Sequence, residues 1–329
     1  LDVARLAGVS IGTVSNVLAN RAAVRPATRR RVEAAIAELK YRPNRIARSL
    51  VGQRTHVVGM VVPDVANPFF AELMQGAEEE LESAGYAVVF GNSHGSEARQ
   101  LRYLESFRDR QVDGLILVLA PSTEAAVLSE MGAHMALVLV DRSLPDWRGD
   151  QVVGDDEAGM QLAVGLLAQM GHRRLGLING EPGISTARRR RLGFEASLRK
   201  WGLDPRCVTD GSFTMGSGFA QAARLLDVPE PPTAICAGND LLAMAALAAA
   251  TGRGLRVPQD VSIVGYDDIA YARLLSPGLT TVRQPAASMG AEAARLLLER
   301  IDRGRTEPRT IVIRPELVVR GSTGPAPAV

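Results

Sequence analysis

Apolar residues at the start of the chain recur at helical spacing. Val3, Leu6 and Ala7 form a first run, Gly8-Val9-Ser10 interrupts it, and Val14, Val17 and Leu18 resume it. The pattern predicts helix, tight turn, helix. Ser10 is a natural N-cap for the second helix, which leaves Ile11, Gly12, Ser15 and Asn16 on the face opposite the apolar stripe. A third helix is predicted from Pro26 to Lys40, with Pro26 at its first position and Val32, Ala35, Ile36 and Leu39 as its buried stripe. Three short amphipathic helices can close one small core.

After Gln53 the texture changes to apolar strands alternating with amphipathic helices. Strand-like runs begin near Val57, Tyr86, Gly114 and Ala136, and a second series follows at Arg174–Ile178, Ala234–Ala237 and Ser262–Tyr266. Such βα repetition implies parallel sheets with helices on both faces. Two doubly wound lobes fit the count better than one sheet. The late segments Thr281 to Arg283 and Thr310 to Ile313 are expected to return to the first lobe, so that several crossings join the two.

Between these parts, Tyr41 to Gly52 reads as a helix of about two turns, capped by Asn44 and ended by Gly52. Helices below roughly 12 residues are marginal alone in water, so this segment is expected to be ordered only when something holds it. The alternative is an Arg-rich linker.

Charge separates the parts further. Residues 1–54 hold eleven Lys or Arg against Asp2, Glu33 and Glu38, leaving −6 on the remainder of a chain whose net charge is +2. A basic head fused to a mildly acidic body suggests a polyanion partner for the head. A helix-turn-helix sets its second helix in the major groove, so Ile11, Gly12, Ser15 and Asn16 become candidate base readers. Asn16 suits adenine and Ile11 a thymine methyl. A small helical bundle with no DNA role has the same apolar spacing. Cys207, Cys236 and the histidines His56, His94, His134 and His172 are scattered, so neither disulfide nor metal nor other cofactor is expected.

In doubly wound sheets, ligands bind at the carboxyl ends of strands. Asn67-Pro68-Phe69-Phe70, Asp141-Arg142, Asn239-Asp240 and Asp267-Asp268 fall there and point to one cleft. Asn67, Asn239 and Asp267 would each also serve as a helix N-cap, Phe69 and Phe70 as core, and Arg188 to Arg191 as a solvated helix face.

At this level of detail the chain resembles the LacI/GalR family of transcriptional regulators. The head motifs are Asp2-Val3-Ala4-Arg5-Leu6-Ala7-Gly8-Val9-Ser10, Thr13-Val14-Ser15, Tyr41-Arg42-Pro43-Asn44 and Ala47-Arg48-Ser49-Leu50; those of the body are Val261 to Asp268 and Leu279 to Pro285. The resemblance implies an α/β fold with an all-α head. A helix-turn-helix domain would span 1–43 and a hinge helix with linker 44–54. A two-lobed, type 1 periplasmic-binding-protein-like domain would span 55–329, its first lobe at about 55–154 and 283–313 and its second at about 155–282 and 314–329. DNA contacts are implied for Ser10, Ile11, Gly12, Thr13, Ser15, Asn16, Asn44, Ala47, Arg48 and Leu50, with Leu50 wedged into the central minor-groove step by paired hinges. Asn67, Phe69, Phe70, Asp141, Arg142, Arg190, Phe213, Asn239, Asp267 and Gln284 are similar to the set that ribose-type sugar-binding proteins use, with Arg188 a possible substitute for Arg190. A sugar offers apolar ring faces to aromatics and a hydroxyl rim to Asp, Asn and Arg. The family's initiator Met and first helix cap are missing, so truncation by a few residues is expected.

No G-x-G-x-x-G follows the strand at Val57, and Gly183-Ile184-Ser185 lacks the second glycine of a nucleophile elbow. An enzyme is therefore not expected. A sugar-binding transport protein is the rival reading, against which stand the basic head and the absence of a signal peptide or membrane span. The expectation is a cytoplasmic homodimer that binds a near-palindromic operator and a pentose or hexose effector. The tail Ser322 to Val329 has no heptads, so no coiled-coil route to a tetramer is expected.

Overall fold

The structure is a computed structural model describing residues 2–18, 24–40, 54–121, 123, 125–144, 147–203 and 207–327. The chain divides into two units, Leu1–Thr55 and His56–Val329. In the first, α1 (Asp2–Ala7), α2 (Ile11–Leu18) and α3 (Pro26–Glu38) enclose Val3, Ala4, Ala7, Val14, Val17, Val32 and Ala35. Gly8, at φ +62°, makes the turn, and the Ser10 hydroxyl accepts the Thr13 N–H at 3.1 Å, capping α2. Two expected core residues are outside: Leu6 is 46% and Leu39 43% exposed. The buried arc of α1 is centred between Val3 and Ala4, which puts Leu6 about 110° away at 3.6 residues per turn. Leu39 lies past the last turn of α3, as its C-cap.

The second unit runs β1 (Val57–Val62), α4 (Pro68–Ser83), β2 (Ala87–Asn92), α5 (Glu97–Asp109), β3 (Gly114–Leu117), α6 (Ala125–His134), β4 (Ala136–Asp141) and β5 (Asp150–Gly154). It then builds a second lobe from α7 (Asp156–Gln169), β6 (Leu175–Asn179), α8 (Ser185–Trp201), β7 (Cys207–Asp210), α9 (Met215–Leu226), β8 (Ala234–Ala237), α10 (Asp240–Thr251), β9 (Ser262–Asp267) and β10 (Thr280–Arg283). The chain returns as α11 (Ala286–Arg303) and β11 (Thr310–Ile313) and ends in the second lobe with β12 (Glu316–Val318). The sheets are ordered β11-β5-β4-β3-β1-β2 and β12-β10-β9-β8-β6-β7. Among the described residues all pairings are parallel except β10 with β12.

Thr281 to Arg283 does not return to the first lobe. It pairs with Gly265 to Asp267 in the second sheet, where the Thr281 hydroxyl donates to the buried Asp240 at 2.6 Å. The return is made by α11, whose Met289, Ala293, Leu296 and Leu297 complete the first lobe's core beside Leu73, Ala77 and Val138. Helices α4 and α11 cross at backbone contact. A Cβ on Gly76 would lie 1.9 Å from the Ala287 carbonyl oxygen, and one on Gly290 2.0 Å from that of Leu73.

Asp150, fully buried at the start of β5, ties the first lobe's edge together. It accepts from Arg300 Nε at 2.5 Å, Arg305 Nη2 at 2.6 Å and the Arg309 N–H at 2.7 Å. These partners more than offset burial and hold its pKa below the usual carboxylate value.

In the second lobe, buried His172 meets the Thr233 hydroxyl at 2.9 Å through Nδ1 and the Gly324 carbonyl at 3.0 Å through Nε2. Burial lowers its pKa, against the pull of the Gly324 hydrogen bond. The unfolded chain therefore binds a proton that the folded protein resists, and stability falls as pH drops below about 6.5, the unperturbed value for histidine. Thermal midpoints at pH 8 and pH 5.5 should differ more in the native protein than in His172→Asn. An equal difference in both would remove His172 as the cause.

Candidate functional site

Parallel strands bring the carboxyl ends of both sheets to the gap between the lobes. Asn67, Phe69, Phe70, Asp141, Arg142, Thr186, Arg190, Phe213, Asn239 and Asp267 line one cavity there, of about 30 Å³. Arg190 lies at its centre, fully within the second lobe's helix α8. Its Nε donates to Asp156 at 2.8 Å, Nη1 donates to the Gly238 carbonyl and lies 3.8 Å from Asp267, and the guanidinium sits 3.8 Å over the Tyr266 ring. Burial pulls the Arg190 pKa down, but Asp156 and Asp267 raise it further than burial lowers it. The carboxyls pay for the desolvation instead. Burial pushes Asp156 up to about 6 and Asp267 well above the usual range, against the opposing pull of Arg190, and burial also raises Asp141. The cluster thus offers a fixed cation beside carboxyls able to accept or donate, a set matched to a hydroxyl rim.

Backbone geometry aims these groups. Asp141 ends β4 at φ +66° and Asp267 ends β9 at φ +109°, conformations that cost a side-chain-bearing residue about 1–3 kcal/mol and concentrate at functional sites. The Phe213 ring rests on bare backbone: a Cβ on Gly180 would lie 2.2 Å from the ring, and one on Gly238 3.1 Å.

The alternatives left open by the sequence divide by atom. Asn67 Oδ1 accepts the Phe69 N–H at 3.1 Å and Asn239 Oδ1 the Leu242 N–H at 2.9 Å, so both are N-caps that also line the cavity. Phe69 and Phe70, edge to face at 5.3 Å, belong to the first lobe's core and border the cavity as well. Asp267 caps no helix. Among the arginines of α8, Arg190 points inward, while Arg191 pairs with Glu195 and Asp210 outside and exposed Arg188 lines a neighbouring cavity. Gln284 is not part of the lining. It stands behind Asp267 and donates to it at 3.0 Å.

Sequence reasoning missed Thr186, Asp156 and Tyr266. Thr186 precedes Arg190 by four residues, so helical spacing alone places both on one face. A larger groove, about 730 Å³, lies at the amino ends of β4 and β5 beside Trp147, Arg148 and Arg300. Arg300 there is committed to Asp150, and the buried charges converge between the lobes instead, which makes the interlobe cavity the candidate site.

In the first unit, α2 presents Ile11, Gly12 and Ser15 to solvent and leaves Thr13 and Asn16 partly exposed. Ile11 is 61% exposed, an apolar side chain on the face away from Val14 and Val17. The Ser10 and Thr13 hydroxyls share a hydrogen bond of 2.9 Å at the start of the helix. The expected hinge helix, with Asn44, Ala47, Arg48 and Leu50, lies outside the described residues.

Residues 1–44 match the family described as bacterial regulatory proteins, lacI family, and residues 164–323 match the periplasmic binding protein-like domain. The HTH-type transcriptional repressor PurR of Aliivibrio salmonicida is 36% identical over 324 residues, covering 98% of this chain and 97% of the relative. The ribose operon repressor of Escherichia coli strain K12 is 37% identical over 328 residues, covering 98% of each. The crystal structure of the lac repressor dimer bound to operator and the anti-inducer ONPF matches with a TM-score of 0.88 at 29% identity, covering 98% of both chains.

Proposed function

Because the chain belongs to the lacI family of bacterial regulatory proteins, we propose that it is a cytoplasmic repressor that binds a near-palindromic operator as a homodimer, its operator affinity set by a pentose or hexose held between the lobes. It is a DNA-binding regulator of transcription and not a transport protein, and we assign it no enzymatic step. The observation that carries the effector reading is the convergence of Arg190, Asp141, Asp267, Asn67 and Asn239 with Phe69, Phe70 and Phe213 on one cavity. Aromatics for ring faces and charged groups for hydroxyls are what a sugar requires.

At about 30 Å³ the cavity is far below the roughly 300–1,000 Å³ of small-molecule sites. A monosaccharide can enter only if the lobes part, and the three chain crossings between them are where that motion is absorbed. Parting the lobes gives an effector its leverage on the hinge, since the coupling needed between two linked sites is typically about 1–3 kcal/mol. The likeness to the lac repressor dimer supports the homodimer. Calorimetric titration of the full chain with pentoses and hexoses, together with gel-shift titration of operator DNA, tests the reading. Sugar binding without any effect on operator affinity would refute it.

The head supplies a sharper prediction. Asn16→Ala should lose about 1–3 kcal/mol of discrimination at one base position, whereas Arg48→Ala should weaken binding to every sequence and flatten its salt dependence. Uniform loss across operators in Asn16→Ala would deny it a reading role.

A further inference from the structure

Next to the central cavity lies a second one of about 50 Å³, bordered by Thr123, Arg142, Ser143, Ser185 and Arg188 among others. Arg142 lines both cavities. It is 6% exposed, and although its Nη1 donates to the Leu119 carbonyl at 2.6 Å, its Nε has no hydrogen-bond partner among the described residues. The nearest carboxylate oxygen, on Asp141, is 3.9 Å from that Nε, beyond hydrogen-bond range. A buried guanidinium N–H left unpaired in this way is costly unless something accepts from it.

The first turn of α8 opens onto the same place. This helix is 17 residues long, and its N-cap is Ile184, which has no side-chain acceptor to offer. The hydroxyl of Ser185 is already taken, accepting the Ser143 N–H at 2.9 Å. Free backbone N–H groups at a long helix's N-terminus carry partial positive charge and receive anions. Arg188, one turn further along, adds an exposed cation with no salt bridge among the described residues.

Resting on the reading of the central cavity as a sugar site, we propose that the effector is a monosaccharide bearing an acidic group, a phosphate or a carboxylate, which is bound by Arg142, Arg188 and the N-terminus of α8. The charges sort the ligand in one orientation. Arg190 in the central cavity is already paired, with Asp156 at 2.8 Å and Asp267 at 3.8 Å, so the hydroxyl-rich ring faces that cluster and the acidic group faces α8.

Calorimetry of the full-length protein with pentoses and hexoses, each beside its terminal phosphate and its uronic acid, tests this. At least one acidic sugar should bind about tenfold or more tightly than its neutral parent, as charge-assisted bonds to guanidinium and helix N-terminus require. Glucose 6-phosphate against glucuronate tells phosphate from carboxylate. Arg188→Gln, at an exposed position that leaves folding intact, should remove the advantage of the acidic sugar and keep the affinity for the neutral one. Equal or better binding of neutral sugars overturns the acidic subsite while the sugar site stands. An acidic preference that survives Arg188→Gln overturns its placement at α8, and no binding by any sugar, neutral or acidic, overturns the sugar site and the subsite together.

Discussion

Arg190→Ala is expected to destabilise the two-lobed unit by about 3–5 kcal/mol, the usual consequence of removing one partner from a buried ionic cluster. Arg190 is the cation around which Asp156, at 2.8 Å, and Asp267, at 3.8 Å, are buried. Its loss leaves both carboxyls uncompensated and empties the space over Tyr266. Any effector response should vanish with it, so a loss of response in this variant has to be read beside its stability. Urea unfolding of the purified protein gives the first number, and gel shifts at a temperature where the variant is still folded give the second. Adding Asp156→Asn should recover part of the lost stability, because the worst uncompensated charge is then gone. An unfolding midpoint equal to that of the native protein would mean that Arg190 contributes nothing net. Arg190→Lys should rescue only partly, since one ammonium cannot reproduce a planar fork held between two carboxylates and an aromatic face.

Asp150→Ala is expected to cost a similar amount, again about 3–5 kcal/mol, without direct effect on the interlobe cavity. Here the roles are reversed: a buried carboxylate holds Arg300, Arg305 and the Arg309 backbone, and its removal takes the carboxylate from Arg300 and leaves Arg305 with Glu299 alone. The damage should be local first. Hydrogen exchange is expected to rise in β5, in β11 and in the last turns of α11, the elements that Asp150 joins, before it rises in β1 and β3. Unchanged protection of β11 would show that the β5–β11 pairing holds without Asp150. Because the Asp150 pKa is depressed in the fold, its contribution is present above about pH 3.9, the ordinary aspartate value, and is lost as pH falls through the lower folded value.

Asp150 also illustrates what could be read from residues alone. The strand it opens, Asp-Gln-Val-Val-Gly, was not predicted, because a charge at its head reads as loop when the arginines that neutralise it lie some 150 residues away. Strand β7 escaped for another reason: it is a four-residue edge strand, half-buried throughout, with no apolar run to mark it. By contrast, β1, β4, β6, β8 and β9 are buried on both faces and announce themselves by unbroken apolar runs. Of the cavity lining, residues at or just past the ends of those legible strands can be read from the sequence, Asn67, Asp141, Asn239 and Asp267 among them. Asp156 was missed because it follows the unpredicted β5, and Tyr266 because an aromatic inside an apolar strand reads as core. Periodicity misjudged Leu6, since a six-residue helix packed through alanines turns a narrower face inward than a longer one.

The return of α11 to the first lobe has a consequence for the order in which the protein can be made. On the ribosome, residues 57–154 emerge before the second lobe and carry most of one sheet, but the helix that covers Leu73, Ala77 and Val138 is encoded after the whole of α7 to β10. The first lobe therefore has to wait, one apolar face open, while the second is synthesised. At about 5–20 residues per second that delay lasts roughly 7–30 seconds. The glycine crossing of α4 and α11 accepts a partner only at backbone contact, which screens out a looser apolar helix from seating there in the interval. A nascent chain halted before Ala286 should bind chaperones and be readily cleaved in its first lobe, and one extended past Ile313 should not.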